Sequence, residues 1–111
     1  IYVEDRAKDM VLRAGENIYC AEVEAAVYEF PGVAEAAVFG VPHERLGEEV
    51  ALALVPSPGE TIDESALLAH VRQHLAAFKV PTIVQIRDER LPRNASGKVL
   101  KRELRDAMTG A

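Results

Sequence analysis

Apolar positions along this chain follow two periods, and the switches between them divide it into elements. Val23, Ala26, Val27 and Phe30 recur at i, i+3, i+4 and i+7, which predicts a helix over about 21–30 with Glu22 and Glu24 in its first turns. Pro31-Gly32 ends it. Two apolar runs of strand length follow, Ala36 to Val41 and Val50 to Val55, separated by the polar segment 42–49. They predict an antiparallel hairpin with a long connection. Thr61-Ile62-Asp63-Glu64 has the form of a capping box, with Thr61 as N-cap and Glu64 at the third helical position. The helix it opens sets Leu67, Leu68, Val71, Leu75 and Phe78 on one face. The β-branched run from Thr82 to Arg87 predicts a third core strand. A loop over 91–97 leads to a last helix over about 98–108, with Leu100, Leu104, Ala107 and Met108 inward. Near the start, Ile1–Glu4 and Met10–Arg13 are strand-prone around a charged turn, and Ala14–Asn17 reads as a loop. The order β-β-α-β-β-α-β-α predicts an α+β domain: a small three-stranded core sheet with flanking helices plus an N-terminal two-stranded hairpin.

Composition narrows the class. The 111 residues are enough for one domain with a modest core. The net charge of −5 argues against a general nucleic-acid binder. Yet seven of the thirteen Lys and Arg residues fall between Arg87 and Arg105, which suits either a local anionic ligand or a solvated helix face. The single cysteine, Cys20, permits no intrachain disulfide and fits a reducing, cytoplasmic setting. No apolar run approaches the ~20 residues of a transmembrane segment, and no signal-peptide pattern is present. The opening Ile1-Tyr2-Val3 reads like the inside of a strand, so the chain is expected to be a fragment of a longer protein.

Candidate chemistry is sparse when each motif is read alone. Lys98 follows Ser96-Gly97 at the expected start of the last helix, where the macrodipole disfavours a cation by only ~0.3–1 kcal/mol. It reads as an anion-binding lysine on a glycine loop, or as one member of a basic face with Lys101, Arg102 and Arg105. The segment is not a phosphate-binding Walker loop, since it lacks the upstream glycine and the Ser/Thr after the lysine. Gly15-Glu16-Asn17 is either a ligand-approaching loop or a plain turn. His70 and His74 have the i, i+4 spacing of two metal ligands, but no third ligand is placed with them by sequence, and no metal site is assigned. Cys20 reads as a helix-start packing residue, and Glu48 and Glu49 read as loop solvation.

Taken together, four stretches carry more: "DRAKDMVLRAGENIYCAEVE" at 5–24, "VAEAAVFGVPHERLGEEV" at 33–50, "LAAFKVP" at 75–81 and "LPRNASGKVLKREL" at 91–104. In this order they resemble the C-terminal subdomain of the adenylate-forming superfamily, which includes acyl-CoA synthetases, luciferases and peptide-synthetase adenylation domains. "GENIY" and "FKVP" are most similar to the fatty-acid and aromatic-acid CoA ligase branch. The resemblance implies an enzyme that makes an acyl-adenylate from a carboxylic acid and ATP, then passes the acyl group to CoA, with Mg2+ in the full-length protein. It implies a small domain, 1–111, that swings about a hinge near 5–9 against its own N-terminal adenylation domain, absent from this sequence, and that is inactive in isolation.

Residue by residue, the resemblance makes Lys98 the adenylation lysine, on a loop that Ser96 and Gly97 let into the cleft. Lys8 matches the hinge position, beside the motif's Arg6, and most relatives have Asp where Lys8 stands. Gly15 and Glu16 match the thioester-forming loop. Phe78 and Lys79 resemble positions near the CoA nucleotide, and Arg13 is added for a CoA phosphate from its charge and place. Ala14 replaces a common second glycine, Cys20 a usual proline, and Val80 and Thr82 lack basic groups that some ligases use toward CoA. Two alternatives stay open: a peptide-synthetase or luciferase-like member with another acceptor, and a non-enzymatic ferredoxin-like ligand-binding module. Neither the acyl chain nor the oligomeric state is legible.

Overall fold

The computed structural model describes residues 10–109. The expected strand Ile1–Glu4 and the hinge segment 5–9, with Arg6 and Lys8, lie outside the described residues. The elements run β1 (Met10–Arg13), β2 (Glu16–Tyr19), α1 (Cys20–Tyr28), β3 (Val33–His43), β4 (Gly47–Pro56), α2 (Glu64–His74), a 3-10 turn (Ala77–Lys79), β5 (Ile83–Ile86) and α3 (Lys101–Thr109).

The α+β class and the three flanking helices match the expectation, with a sheet more continuous than expected. β3 and β4 pair antiparallel from Val33↔Pro56 to His43↔Gly47. Alternation sends Ala36, Val38, Val50, Leu52 and Leu54 to one face, where they pack with Val23 and Val27 of α1 and Leu67 and Val71 of α2. Ala37, Phe39, Val41, Ala51, Ala53 and Val55 point the other way, onto Leu91 and onto Leu104 of α3. The sheet is therefore covered on both faces. This explains why β3 and β4 read as continuous apolar runs instead of alternating ones.

β5 joins β4 in parallel through Ala51↔Ile83 to Leu54↔Ile86, reached by the α2 crossover. β1 meets β4 at Arg13↔Gly47 and carries β2 on its outer side. The hairpin is thus made by β1 and β2. The segment 14–17 expected as a loop is a two-residue turn, Ala14-Gly15, followed by strand.

β3 lies at one end of the sheet order, so its outward N–H groups need partners. α1 provides them from two positions one turn apart. The Tyr28 hydroxyl accepts from Ala36 N at 2.9 Å, and Glu24 Oε2 accepts from Val38 N at 2.9 Å. Pro42, which has no N–H to offer, is tolerated in this edge strand.

Four boundaries differ from the sequence reading. α2 is capped by Asp63, whose Oδ1 accepts from Ser65 N at 2.9 Å and Ala66 N at 3.3 Å, in place of Thr61. A carboxylate is the stronger acceptor at the positive end of the helix dipole. α2 stops at His74, so Leu75 and Phe78 reach the same apolar cluster from outside the helix. The 42–49 connection shrinks because β3 and β4 run on into polar residues, and the turn is held by His43 Nδ1, which accepts from Arg45 N and Leu46 N. α3 begins at Lys101, three residues later than expected, and Ala107 is exposed.

Leu67 is fully buried at the centre of the α1–α2–sheet layer. Leu67→Ala is expected to lower unfolding free energy by about 2–5 kcal/mol, measured by urea denaturation.

Candidate functional site

The residues with the sharpest candidate chemistry sit on two loops, and different layers carry them. The first is the segment that holds Lys98. Asn94 N donates to Lys98 O at 2.9 Å, and Asn94 Oδ1 accepts from Ser96 N at 2.9 Å and from Lys98 N at 3.0 Å. Gly97 N closes the turn on Asn94 O at 2.9 Å. One asparagine thus organises the whole turn through its backbone and its side-chain carbonyl, as Asx turns do. Gly97 has φ +85°, the left-handed region a side chain would strain. Arg93 and Val99 form a bridge across the base, and Leu100 N donates to Pro92 O at 2.8 Å. Those backbone groups are engaged sideways and are not available to a helix, which is why α3 starts only at Lys101. Lys98 therefore lies in irregular chain at the exit of a tight turn, off the helix. It shares no helix face with Lys101, Arg102 and Arg105.

The turn is tied to the sheet by a charge cluster the sequence does not announce. Arg93 uses one nitrogen to donate to Gly97 O and another to Glu35 Oε1 on β3, both at 2.7 Å. Arg90 Nε donates to the other Glu35 oxygen at 3.3 Å. Burial alone would push the Glu35 carboxyl up. The hydrogen bonds from Arg93 and Arg90, with their charges, outweigh burial and hold it below its ordinary value of 4.5. Arg93 is the partner that matters, because the Arg90 side chain is largely in water. On the far side of the loop, Val99 and Leu104 pack on Phe39 and its neighbours, so the segment is fixed at both ends.

The second loop is the Ala14-Gly15 turn. Arg13↔Glu16 closes a two-residue connection, with φ +52° at Ala14 and +84° at Gly15. Positive φ at both positions is the turn that matches strand twist. Glycine takes this backbone freely, whereas Ala14 sits in a region that disfavours an L side chain by about 1–2 kcal/mol. A Cβ on Gly15 would meet open space, so within this chain the backbone angle and not crowding selects glycine there.

The hairpin is clasped to the β3–β4 turn at four points. Ala14 N donates to Leu46 O at 2.8 Å, Leu12 N to Glu48 Oε1 at 2.8 Å, Arg13 Nε to Glu49 Oε1 at 2.7 Å, and Arg13 pairs with Gly47. Glu48 and Glu49 are therefore structural ligands of the hairpin, a correction to their reading as loop solvation. Burial raises the Glu49 carboxyl; the Val50 N–H and Arg13 outweigh it and leave it lowered. Arg13, offered from sequence as a CoA-phosphate contact, has its Nε committed to Glu49. Lys79 is likewise engaged, with Glu22 at 2.9 Å and its ammonium 5.7 Å from the Phe78 ring centre. Gly15 and Glu16 are exposed at the hairpin tip, and Lys98 is exposed at its own turn.

The chain matches the family model described as AMP-binding enzyme C-terminal domain over residues 22–98, from α1 through the candidate lysine. The chain belongs to this family. Among curated relatives, it is 51% identical over 104 residues to a feruloyl-CoA synthase of Amycolatopsis sp, covering 94% of this chain and 21% of the relative. It is 46% identical over 110 residues to the fatty acid–[acyl-carrier-protein] ligase ScoC of Streptomyces coeruleorubidus, covering 99% and 21%. Among solved structures, apo MatB from Rhodopseudomonas palustris superposes with a TM-score of 0.86 at 45% identity, over 92% of this chain and 20% of that one. This C-terminal domain thus spans about a fifth of the length of the relatives it matches. No helix among the described residues is long and apolar enough to cross a membrane.

Two groups were missed from sequence. Asn94 carried a readable signal, an Asx-turn residue ahead of Gly97. The Glu35–Arg93 pair carried none, because only the fold brings together residues so far apart in the chain.

Both lowered carboxylates link stability to pH in the same sense. Their stabilisation is fully present above the ordinary value of 4.5 and is lost as pH falls through the lowered folded value. Urea denaturation at a series of pH values is expected to show stability constant near neutrality and falling below 4.5. Glu35→Gln is expected to be about 1–3 kcal/mol less stable at neutral pH, with a shallower acid limb.

Proposed function

We propose that this chain is the C-terminal swinging domain of an ATP-dependent, AMP-forming acyl-CoA ligase of the cytoplasm. Its acyl substrate is a carboxylic acid, fatty or aromatic. The observation that carries the reading is Lys98 at the exit of a turn that Asn94 holds internally and Glu35 holds to the sheet through Arg93. A long cationic side chain on a rigid base is suited to reaching into a cleft made elsewhere and placing an ammonium beside anionic oxygens.

In the adenylating half-reaction, the substrate carboxylate attacks the α-phosphorus of ATP and pyrophosphate leaves. The Lys98 ammonium bridges the carboxylate and an α-phosphate oxygen. It aligns the attack and stabilises the negative charge that builds on the phosphoryl oxygens. In the second half-reaction, the CoA thiol displaces AMP from the acyl-adenylate. Here the hairpin tip, Gly15 and Glu16, takes the place of Lys98 at the cleft. The two loops belong to different layers of one rigid domain, so exchanging them requires rotation of the whole body. We assign that rotation to Lys8 and Arg6 in the segment ahead of β1, a short stretch suited to absorbing a dihedral change.

Phe78 is the stronger CoA-adenine candidate, being half-buried with an aromatic face. Lys79 and Arg13 each hold a carboxylate, Glu22 and Glu49, and would reach CoA phosphates with their remaining N–H donors. Mg2+ would enter with ATP. The one cluster of potential ligands among the described residues contains two imidazoles, which does not fit a hard cation, and no step is assigned to the ion here.

A carrier-protein thiol is the second acceptor to consider, favoured by Arg13 and Lys79 each already holding a carboxylate, which leaves less positive charge for CoA phosphates. Supplying the full-length enzyme with CoA or with a pantetheinylated carrier protein separates the two, and faster acyl transfer to CoA is expected.

In the full-length enzyme, Lys98→Ala is expected to reduce acyl-adenylate formation by roughly 100-fold or more, read by pyrophosphate release. Thioester formation from a supplied acyl-adenylate should stay within a few-fold of wild type. Equal loss in both half-reactions would defeat the assignment.

A further inference from the structure

His70 and His74 stand one turn apart on α2 and face the end of α1, where the fold supplies the third group that the sequence could not place beside them. Glu29, the C-cap of α1, brings its carboxylate to 3.9 Å from His74 Nε2. One ligand atom from each of Glu29, His70 and His74 lies within 4.8 Å of the others. We propose that these three side chains bind a divalent transition-metal ion of the zinc class. The site is independent of the adenylation chemistry and lies in the α1–α2 layer, across the sheet from the Lys98 turn.

The donor set selects the ion. Two imidazoles and one carboxylate suit Zn2+ and its neighbours, with a fourth position left for water. His70 is prepared for the role by its surroundings. Its ring packs edge-on against Phe30, with centroids 5.6 Å apart. Its Nε2–H donates to the Ala26 carbonyl at 3.0 Å, because a carbonyl can only accept. This fixes the tautomer and leaves Nδ1 with the lone pair a metal needs, the backbone-carbonyl arrangement that orients ligating histidines.

The other two ligands are exposed and free to adjust. Around an ion at ~2.0–2.1 Å, tetrahedral ligand atoms stand about 3.3 Å apart, so the three groups would close on it by side-chain rotation. Electrostatics favours the same place. Glu29 caps the C-terminal end of α1, whose last turn has no basic residue, and His74 is the final residue of α2. A dication there meets the negative ends of two helix dipoles. Cys20, the lone thiol, is buried elsewhere and takes no part. The bound ion would staple α1 to α2.

The test uses full-length protein stripped with a chelator, and ZnCl2 as the probe in calorimetry. Wild type is expected to bind one equivalent that His74→Ala lacks. Glu29→Gln should bind that equivalent at least tenfold more weakly, about 1.4 kcal/mol. Both variants alter exposed side chains, so folding should be preserved, and their unchanged melting temperature without metal checks this. Zn2+ should raise the melting temperature of wild type and not that of His74→Ala. Co2+ in place of Zn2+ should give visible d–d bands of a four-coordinate site in wild type only. Equal stoichiometry and affinity in wild type and His74→Ala, or no saturable binding in wild type, would overturn the proposal.

Discussion

The pairing of β3 with β4 is the constraint on which everything else in this domain depends. Both strands are long, and both of their faces are buried, so each residue is committed to one of two apolar layers by its parity alone. A slip of one position would exchange Val38 and Leu52 with Phe39 and Ala53, and neither layer of helices would then fit. The pairing also positions the two candidate loops. Its turn and the start of β4, at 46–49, are where the β1–β2 hairpin is clasped, and the face of β3 that carries Phe39 supplies Glu35, to which the Lys98 turn is tied.

Charge is used here for positioning more than for general stability. Glu24 accepts from the edge of β3 and also pairs with Lys101 at 2.8 Å, joining the helix on one face of the sheet to the helix on the other. Glu48 and Glu49 hold the hairpin, and Glu35 holds Arg93. Each of these carboxylates meets a backbone N–H or a guanidinium at a point where two elements must keep a fixed relation. Exposed ion pairs of this kind add little stability one by one. The buried members, Glu35 and Glu49, fix orientation because leaving either charge without its partners would be costly.

A domain built this way is a rigid carrier. The two candidate loops are short and anchored to strands by hydrogen bonds, so little backbone freedom remains at Gly15 or Lys98. Most of its apolar side chains are committed to its own two layers, while Leu12, Tyr19, Tyr28, Ile83 and Ile86 stay exposed.

Much of this was legible in the sequence. Periodicity alone located α1, α2, the β3–β4 hairpin and β5, because burial against a sheet imposes its period on the residues. The motif order pointed to the family, since a family is carried by residue types at fixed spacings. Tertiary structure decided the rest, wherever residues distant in the chain compete for the same backbone. Lys98 was expected at a helix start and lies at the exit of a turn, because Arg93 bridges Val99. Thr61 yielded the cap to Asp63, whose carboxylate reaches the helix N–H groups directly. Glu48 and Glu49 read as solvated acids because nothing local shows that a hairpin tens of residues earlier needs them. Glu29 joined His70 and His74 only when α1 was laid beside α2. Local patterns encode which face of an element is apolar; which polar groups meet across elements is fixed only when the apolar faces have been packed.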